Sequence, residues 1–402
     1  MLIKIAWRNL WRHPGRSLII IFAVIIGLWS ILFLSALYEG IVRQRIADVI
    51  NSESSHIQIH HPSFRVDQTP VHTVPGTDRV VRALQQDTRI KSFSLRQVTT
   101  GMINSTGGSM GATFIGIENG LEKKVTAIHE HIVAGNYLQD PKRSEILIGE
   151  KLARKMKLHL KSKVVVLCQD TSGDIVSGAF RVQGIYKTNN EPFDESHVFM
   201  HKEQLASMLG LPGCSHEIAI LLQDQKRLQE VSNNLKAVLP GREIKTWMEL
   251  SPEMRLLVGV FDEYMMVLML IVFMAVAFGI VNTMLMSVLE RSRELGMMFA
   301  VGMNKQRVFL MVTFETFFLM LVGLPAGVLA GMATVTYFGR SGIQFGPENM
   351  MSNFGFTNVV YPVLTADHVV TAASVITFIT LVSSIYPSLR AVMIKPAEAI
   401  RK

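Results

Sequence analysis

Cysteine is nearly missing from this chain, with two among 402 residues, Cys168 and Cys214. Neither stands in a C-x-x-C or a Cys/His spacing, which excludes the redox and zinc modules that such spacings mark. Also absent are a G-x-x-x-x-G-K-[ST] phosphate loop, an H-E-x-x-H helix and a G-x-S-x-G elbow. The chain on its own therefore reads as a non-catalytic subunit, with no metal site and no nucleotide site of those types. Charge is sparse as well, at 18% Asp, Glu, Lys and Arg.

That charge is unevenly spread. None falls between Ser17 and Tyr38, Tyr264 and Leu289, or Val369 and Leu389, and Val308 to Gly339 holds only Glu315. A helix rises about 1.5 Å per residue, so each run is long enough for a hydrocarbon core of roughly 30 Å. Four such runs read as four transmembrane helices, not as buried helices of a soluble core. The first is too long for the apolar region of a secretory signal, and no small-residue cleavage site follows it.

Lys and Arg set the orientation. Lys4, Arg8, Arg12 and Arg16 precede the first run; Arg291, Arg293, Lys305 and Arg307 sit between the second and third; Arg390, Lys395, Arg401 and Lys402 follow the fourth. Residues 39–263 are almost neutral, with 27 basic and 26 acidic side chains. Both termini and the 290–307 loop are thus expected in the cytoplasm, with residues 39–263 and the 340–367 loop outside. The net charge of +8 is accounted for by anionic headgroups, and no nucleic-acid partner is called for. An outward segment permits a disulfide between Cys168 and Cys214, and two unpaired thiols fit the sequence equally.

The expected class is a membrane protein of four transmembrane α-helices with a large α+β extracytoplasmic domain inserted between the first and second. Its expected segments are an interfacial amphipathic helix (1–16), a first span (17–40), the domain with stalk ends (41–262), a second span (263–289), a short cytoplasmic helix (290–305), a third span (306–339), a loop (340–367), a fourth span (368–390) and a tail (391–402). In the first segment Ile3, Trp7, Leu10 and Trp11 share a face beside Lys4, Arg8 and Arg12, and Pro14-Gly15 is expected to break it. Helical patterning at Ile41 to Ile50 and Ser251 to Tyr264 suggests a stalk.

The domain shows a duplication: strand Ser55 to His60, helix Thr77 to Gln86 and strand Ile90 to Leu95, then strand Glu217 to Leu222, helix Lys226 to Val238 and strand Glu243 to Trp247. Between them lie strands at Ala112 to Ile117, Val164 to Cys168, Ala179 to Tyr186 and His197 to Met200, a helix at Glu150 to Met156, and turns at Gly107-Gly108 and Ser172-Gly173-Asp174. His56, His60 and His61 read as solvated side chains on a polar strand face rather than metal ligands. Gly323, Gly327 and Gly331, four apart, form a small-residue stripe for helix packing, with Pro325 a kink site. Glu315, an acid within a span, serves either a hydrogen bond to another span or a proton relay.

The 290–304 stretch, ERSRELGMMFAVGMN, combines charges and apolar anchors on a short helix. It can be a solvated loop or can dock into a groove on a cytoplasmic partner through Glu290, Arg291, Arg293, Glu294, Leu295, Met298 and Phe299. Together with AWRNLWRHPGRSL before the first span and YPSLRAVMIKPAEAIRK at the end, it resembles the FtsX/MacB-type permeases of ABC transporters over the whole chain. The outward segments SHIQIHHPSF, IVAGNYL, EILIGEKLARKMKL and GAFRVQGIYKT look closest to LolC/LolE-type lipoprotein-releasing subunits. The resemblance implies a second permease subunit, identical or homologous, and a coupling helix seated on a separate cytoplasmic ATPase dimer that binds ATP and Mg. It also implies a bacterial inner-membrane location and lipoprotein cargo whose acyl chains enter between the first two spans. Met265, Met266, Met269 and Met274 suit such a path because thioether chains adapt to varied apolar shapes, and plain lipid-facing packing suits them too. A hook that recruits a periplasmic carrier is not identifiable. MacB-like expulsion of peptides, toxins or drugs, and FtsX-like control of a cell-wall hydrolase, are the other activities the resemblance offers.

Overall fold

The computed structural model describes residues 14–141, 143–346 and 356–394. They form two compact units, a membrane unit (residues 14–42, 258–344 and 359–394) and an inserted unit built mainly from residues 43–257. The amphipathic stretch over residues 1–13 and the Pro396 to Arg401 motif lie outside the described residues. Pro14 and Gly15 lie within the first helix, which is described from Pro14 onward.

The membrane unit holds α1 (Pro14–Asp48) as far as residue 42, α2 (Pro252–Glu290) from residue 258, α3 (Ser292–Ala300), α4 (Lys305–Ser341) and α5 (Ala366–Val392). All but α3 are long and apolar enough to cross a membrane, where only a helix pairs every backbone group internally within one segment. Val24, Leu28 and Leu32 of α1, four apart, are fully buried. They face the glycines of α4: an added Cβ at Gly323, Gly327 or Gly331 would lie 3.1, 3.1 and 2.8 Å from those three side chains in turn. Trp29 Nε1 donates to Thr334 Oγ1 at 3.0 Å between the same helices. Thr313 and Ser388 hydroxyls meet at 3.2 Å between α4 and α5. Pro325 sits inside α4 without ending it. A two-residue ribbon, Ile343–Gln344 against Val359–Val360, narrows the α4–α5 connection, and Val363 N–H donates to the Ala36 carbonyl of α1 at 2.9 Å.

In the inserted unit the duplicated pattern folds into one sheet. The strands β1 (Ile57–His60), β2 (Ile90–Ser105), β9 (Glu217–Leu222) and β10 (Glu243–Thr246) lie in the order β10-β1-β9-β2, every pair antiparallel. This is the split β-α-β pair. Helix Thr77–Gln86 buries Val80 and Leu84, and Leu228–Val238 buries Leu228, Val231 and Leu235, which gives each an apolar stripe at helical spacing. Leu228–Val238 is preceded by a 3₁₀ turn, so its α-helical part starts two residues later than the pattern suggests. Trp247 opens a short helix capped reciprocally by Thr246 and Glu249 instead of ending a strand.

β2 continues past Leu95 for ten more residues and enters a second structure. It pairs with β3 (Gly108–Ile117), and the chain adds β4 (Ile132–Gly135), β5 (Glu145–Gly149), β6 (Lys163–Gln169), β7 (Ile175–Tyr186) and β8 (His197–His201). Pairings β2-β3, β3-β8, β8-β5, β5-β7, β7-β6 and β6-β2 close a six-stranded barrel. Phe114, Ile146, Val166, Phe180, Val182 and Met200 fill it. Cys168 and Cys214 are both free.

His60 of β1 and His56 just before it differ from expectation. His56 and His60 are 8% and 2% exposed, because β1 is flanked by β10 and β9 and buried along its whole length. His56 Nδ1 accepts the Leu222 N–H at 3.1 Å, and His60 Nε2 lies 3.0 Å from Gln58 Oε1.

Candidate functional site

α2 ends at Glu290 and α3 begins at Ser292, with Arg291 making the corner. Arg291 turns inward and is 9% exposed. Its Nη1 donates to both carboxylate oxygens of Glu315 on α4, at 2.8 and 3.0 Å, and its Nε lies 3.5 Å from Glu294. The acid within the third span is therefore paired with the corner, not with another span. A nine-residue helix is stable only if one face is packed, and here Leu295, Met298 and Phe299 are that face, joined to the membrane unit's core. The three apolar residues read as partner anchors are thus largely committed internally. Exposed on the other side of the corner are Glu290, Arg293, Met297 and Val301, the last 90% exposed. Next to it is a groove of about 610 Å³ bounded by Glu294, Met297, Val301, Met303 and Arg307. Gly302, at φ +96°, supplies the left-handed turn that ends this segment.

Toward the start of α2, Met265, Met266, Met269 and Phe273 line an apolar groove of about 520 Å³ together with Ser35 and Tyr38 of α1 and His368 of α5. Met274 lies outside that lining and is half exposed. The groove offers largely hydrocarbon walls with a few polar groups, Ser35, Tyr38 and His368, among them.

Sequence reasoning missed a third constellation, in the inserted unit. The end of α1 passes into a π-helical turn, Val49–Ser54, and this turn is held by side chains from far along the chain. Asn189 donates to the Asp48 carboxylate at 3.1 and 3.2 Å, Asn190 to Glu53 Oε1 at 2.6 Å, and Ala127 N–H to the Asn51 carbonyl at 2.8 Å. Arg96 Nη1 reaches the Glu53 carbonyl at 3.4 Å while also meeting Glu217 at 2.6 Å, and its Nη2 meets Glu122 at 2.7 Å. Burial pushes the Glu122 carboxyl up, but the Arg96 guanidinium with hydrogen bonds from Ser94 and Thr126 outweighs it and holds Glu122 below its usual range. The available signal was an arginine in phase with Ser94 on an alternating strand.

These sites can be set beside known proteins. A family model for the MacB-like periplasmic core domain matches residues 17–238, and one for the FtsX-like permease C-terminal region matches residues 266–396. An uncharacterised ABC transporter permease of Methanocaldococcus jannaschii is 22% identical over 82% of each chain. The macrolide export ATP-binding/permease protein MacB of Nitrosomonas europaea is 21% identical over 82% of this chain and 51% of its own, so this chain spans about half of that relative. The lipoprotein-releasing system transmembrane protein LolC of Neisseria meningitidis is 23% identical over 75% of each. Among solved structures, the periplasmic region of MacB from Actinobacillus actinomycetemcomitans covers 53% of this chain and 97% of its own at 12% identity, with a TM-score of 0.37. With one family model spanning more than half of the sequence and the second most of the remainder, four apolar helices and a MacB-like domain inserted after the first, the chain belongs to the FtsX/MacB/LolC type of ABC transporter permeases.

Proposed function

We propose that this permease is the membrane subunit of an ATP-driven complex that extracts lipoproteins from the outer leaflet of a bacterial inner membrane. Both termini and α3 face the cytoplasm, and α3 rests on a separate ATPase dimer that holds ATP and Mg. A second permease, identical or homologous, completes the membrane part. Hydrolysis moves the spans, and the chain carries that motion into the inserted unit through α1 and α2. The observation that carries the cargo reading is the methionine-lined groove between α1 and α2. Its apolar walls fit an acyl chain, and three of its residues are adaptable thioethers. The match of the inserted unit to a MacB-like periplasmic core favours a second reading, expulsion of a peptide, toxin or drug from the periplasm.

The test is reconstitution of the complex in proteoliposomes with a triacylated lipoprotein and a soluble acceptor. ATP-dependent release that falls at least about tenfold in Met269→Asp, where a carboxylate costs a few kcal/mol in an apolar path, supports extraction. Release that persists in the variant contradicts the groove as the acyl path, and ATP hydrolysis stimulated only by a soluble peptide or drug favours the efflux reading.

A further inference from the structure

We propose that the Arg291–Glu315 ion pair is the link through which α3 moves α4, so that its two members are positioning residues for energy coupling; this rests on the reading of α3 as the helix seated on the ATPase. α3 is continuous with α2 at Arg291, but it meets α4 through residues 301–304, which include Gly302 at φ +96°. Displacement of α3 therefore reaches α2 directly and reaches α4 through side chains. Leu295, Met298 and Phe299 provide apolar contacts with the core, which resist separation but not sliding. The guanidinium is different: Nη1 is held by both oxygens of Glu315, and charge-assisted hydrogen bonds of this kind fix direction as well as distance. The two groups are 9% and 6% exposed, so salt screens them little.

A merely local role for Arg291 has a simpler partner in Glu294, one helical turn away, yet that contact is the longer one at 3.5 Å. Glu315 is also the single charge between Val308 and Gly339, and an acid in a span is costly unless paired. Among the described residues, Nη2 of Arg291 is buried without a hydrogen-bond partner. The pair thus keeps one donor in reserve, to engage in a second position of α3 without releasing Glu315.

The test uses the full permease with its ATPase in proteoliposomes, with spin labels at Leu270 of α2 and Tyr337 of α4 in a variant lacking the two native cysteines. ATP is expected to change the label distance in the parent and in the exchanged pair Arg291→Glu/Glu315→Arg. In Glu315→Gln the same change should be lost, although the ATPase stays bound and hydrolyses ATP. Arg291→Met, which removes the charge and both hydrogen bonds to Glu315, carries the test if Glu315→Gln fails to assemble, and should lose the change as well. An ATP-driven change in either single variant equal to the parent's overturns the proposal and leaves docking intact. A parent permease that binds no ATPase overturns the docking reading and this proposal together.

Discussion

Asp194 shows how one buried side chain sets a pH response in the inserted unit. Its carboxylate accepts the Thr188 N–H and hydroxyl at 2.9 and 2.7 Å, but burial, with Glu150 and Glu191 adding to it, pushes it up to about 7. Unfolded, it would release its proton near the ordinary 3.8. Between those values the folded state keeps a proton that the unfolded state has lost, so this contribution to stability is complete below about pH 4 and is lost as pH rises toward 7. His56 and His197, pushed down to about 4 by burial, act the other way and lose stability as pH falls from about 6.5 to 4. Asp194→Asn removes only the first effect. Its stability relative to the parent, measured by hydrogen exchange at residues 188–198, should rise between pH 5 and 7 by up to about 1.4 kcal/mol per unit; a pH-independent difference contradicts the assignment. Arg96 belongs to the same scale. Arg96→Met leaves Glu122 and Glu217 buried without their counter-charge, a loss of about 3–5 kcal/mol, which chemical denaturation of the purified protein would read. Neither residue announces itself in the sequence, because a strand pattern specifies which positions face inward but not which distant carboxylates arrive there.

At the scale of elements, the glycine stripe of α4 decides how closely α1 can approach. Gly327→Leu has to displace Leu28 and the Ile25 backbone, 3.1 and 3.3 Å from an added Cβ. Overpacking of that kind costs about 1–3 kcal/mol, enough to lower the melting temperature in detergent by several degrees. Gly279→Ala on α2 meets only Ala23 Cβ at 3.9 Å and should leave it unchanged; equal effects at the two sites would argue against α1–α4 packing as the reason for the stripe. The partner helix was not legible, since spacing shows that something approaches but not what. The short helix α3 teaches the same lesson. Its charges and apolar residues are evident in the sequence, but which apolar face is spent on the protein's own core depends on the path of α4. The structure exposes Met297 and Val301, one residue out of phase with Met298 and with the rest of the inward set.

For the whole molecule, the four spans and the inserted domain were readable because composition alone separates them: a hydrocarbon core tolerates no scattered charge, and a neutral, mixed segment of more than 200 residues cannot lie in it. The paired β-α-β halves were readable from repetition. The barrel was not, because its closure depends on β2 changing partners midway and on β6 returning to it, pairings without a local signature. The central claim is that α3 carries the ATPase, and the most direct measurement is the ATPase bound per permease and its ATP turnover, in the parent and in Met297→Asp/Val301→Asp. Both substitutions fall on the exposed face and leave the buried face of α3 untouched. The account predicts that the variant keeps its helical content and melting temperature but loses most of the bound ATPase and its turnover, as Glu290→Lys/Glu294→Lys should in part. Full binding and turnover in the aspartate variant would contradict it.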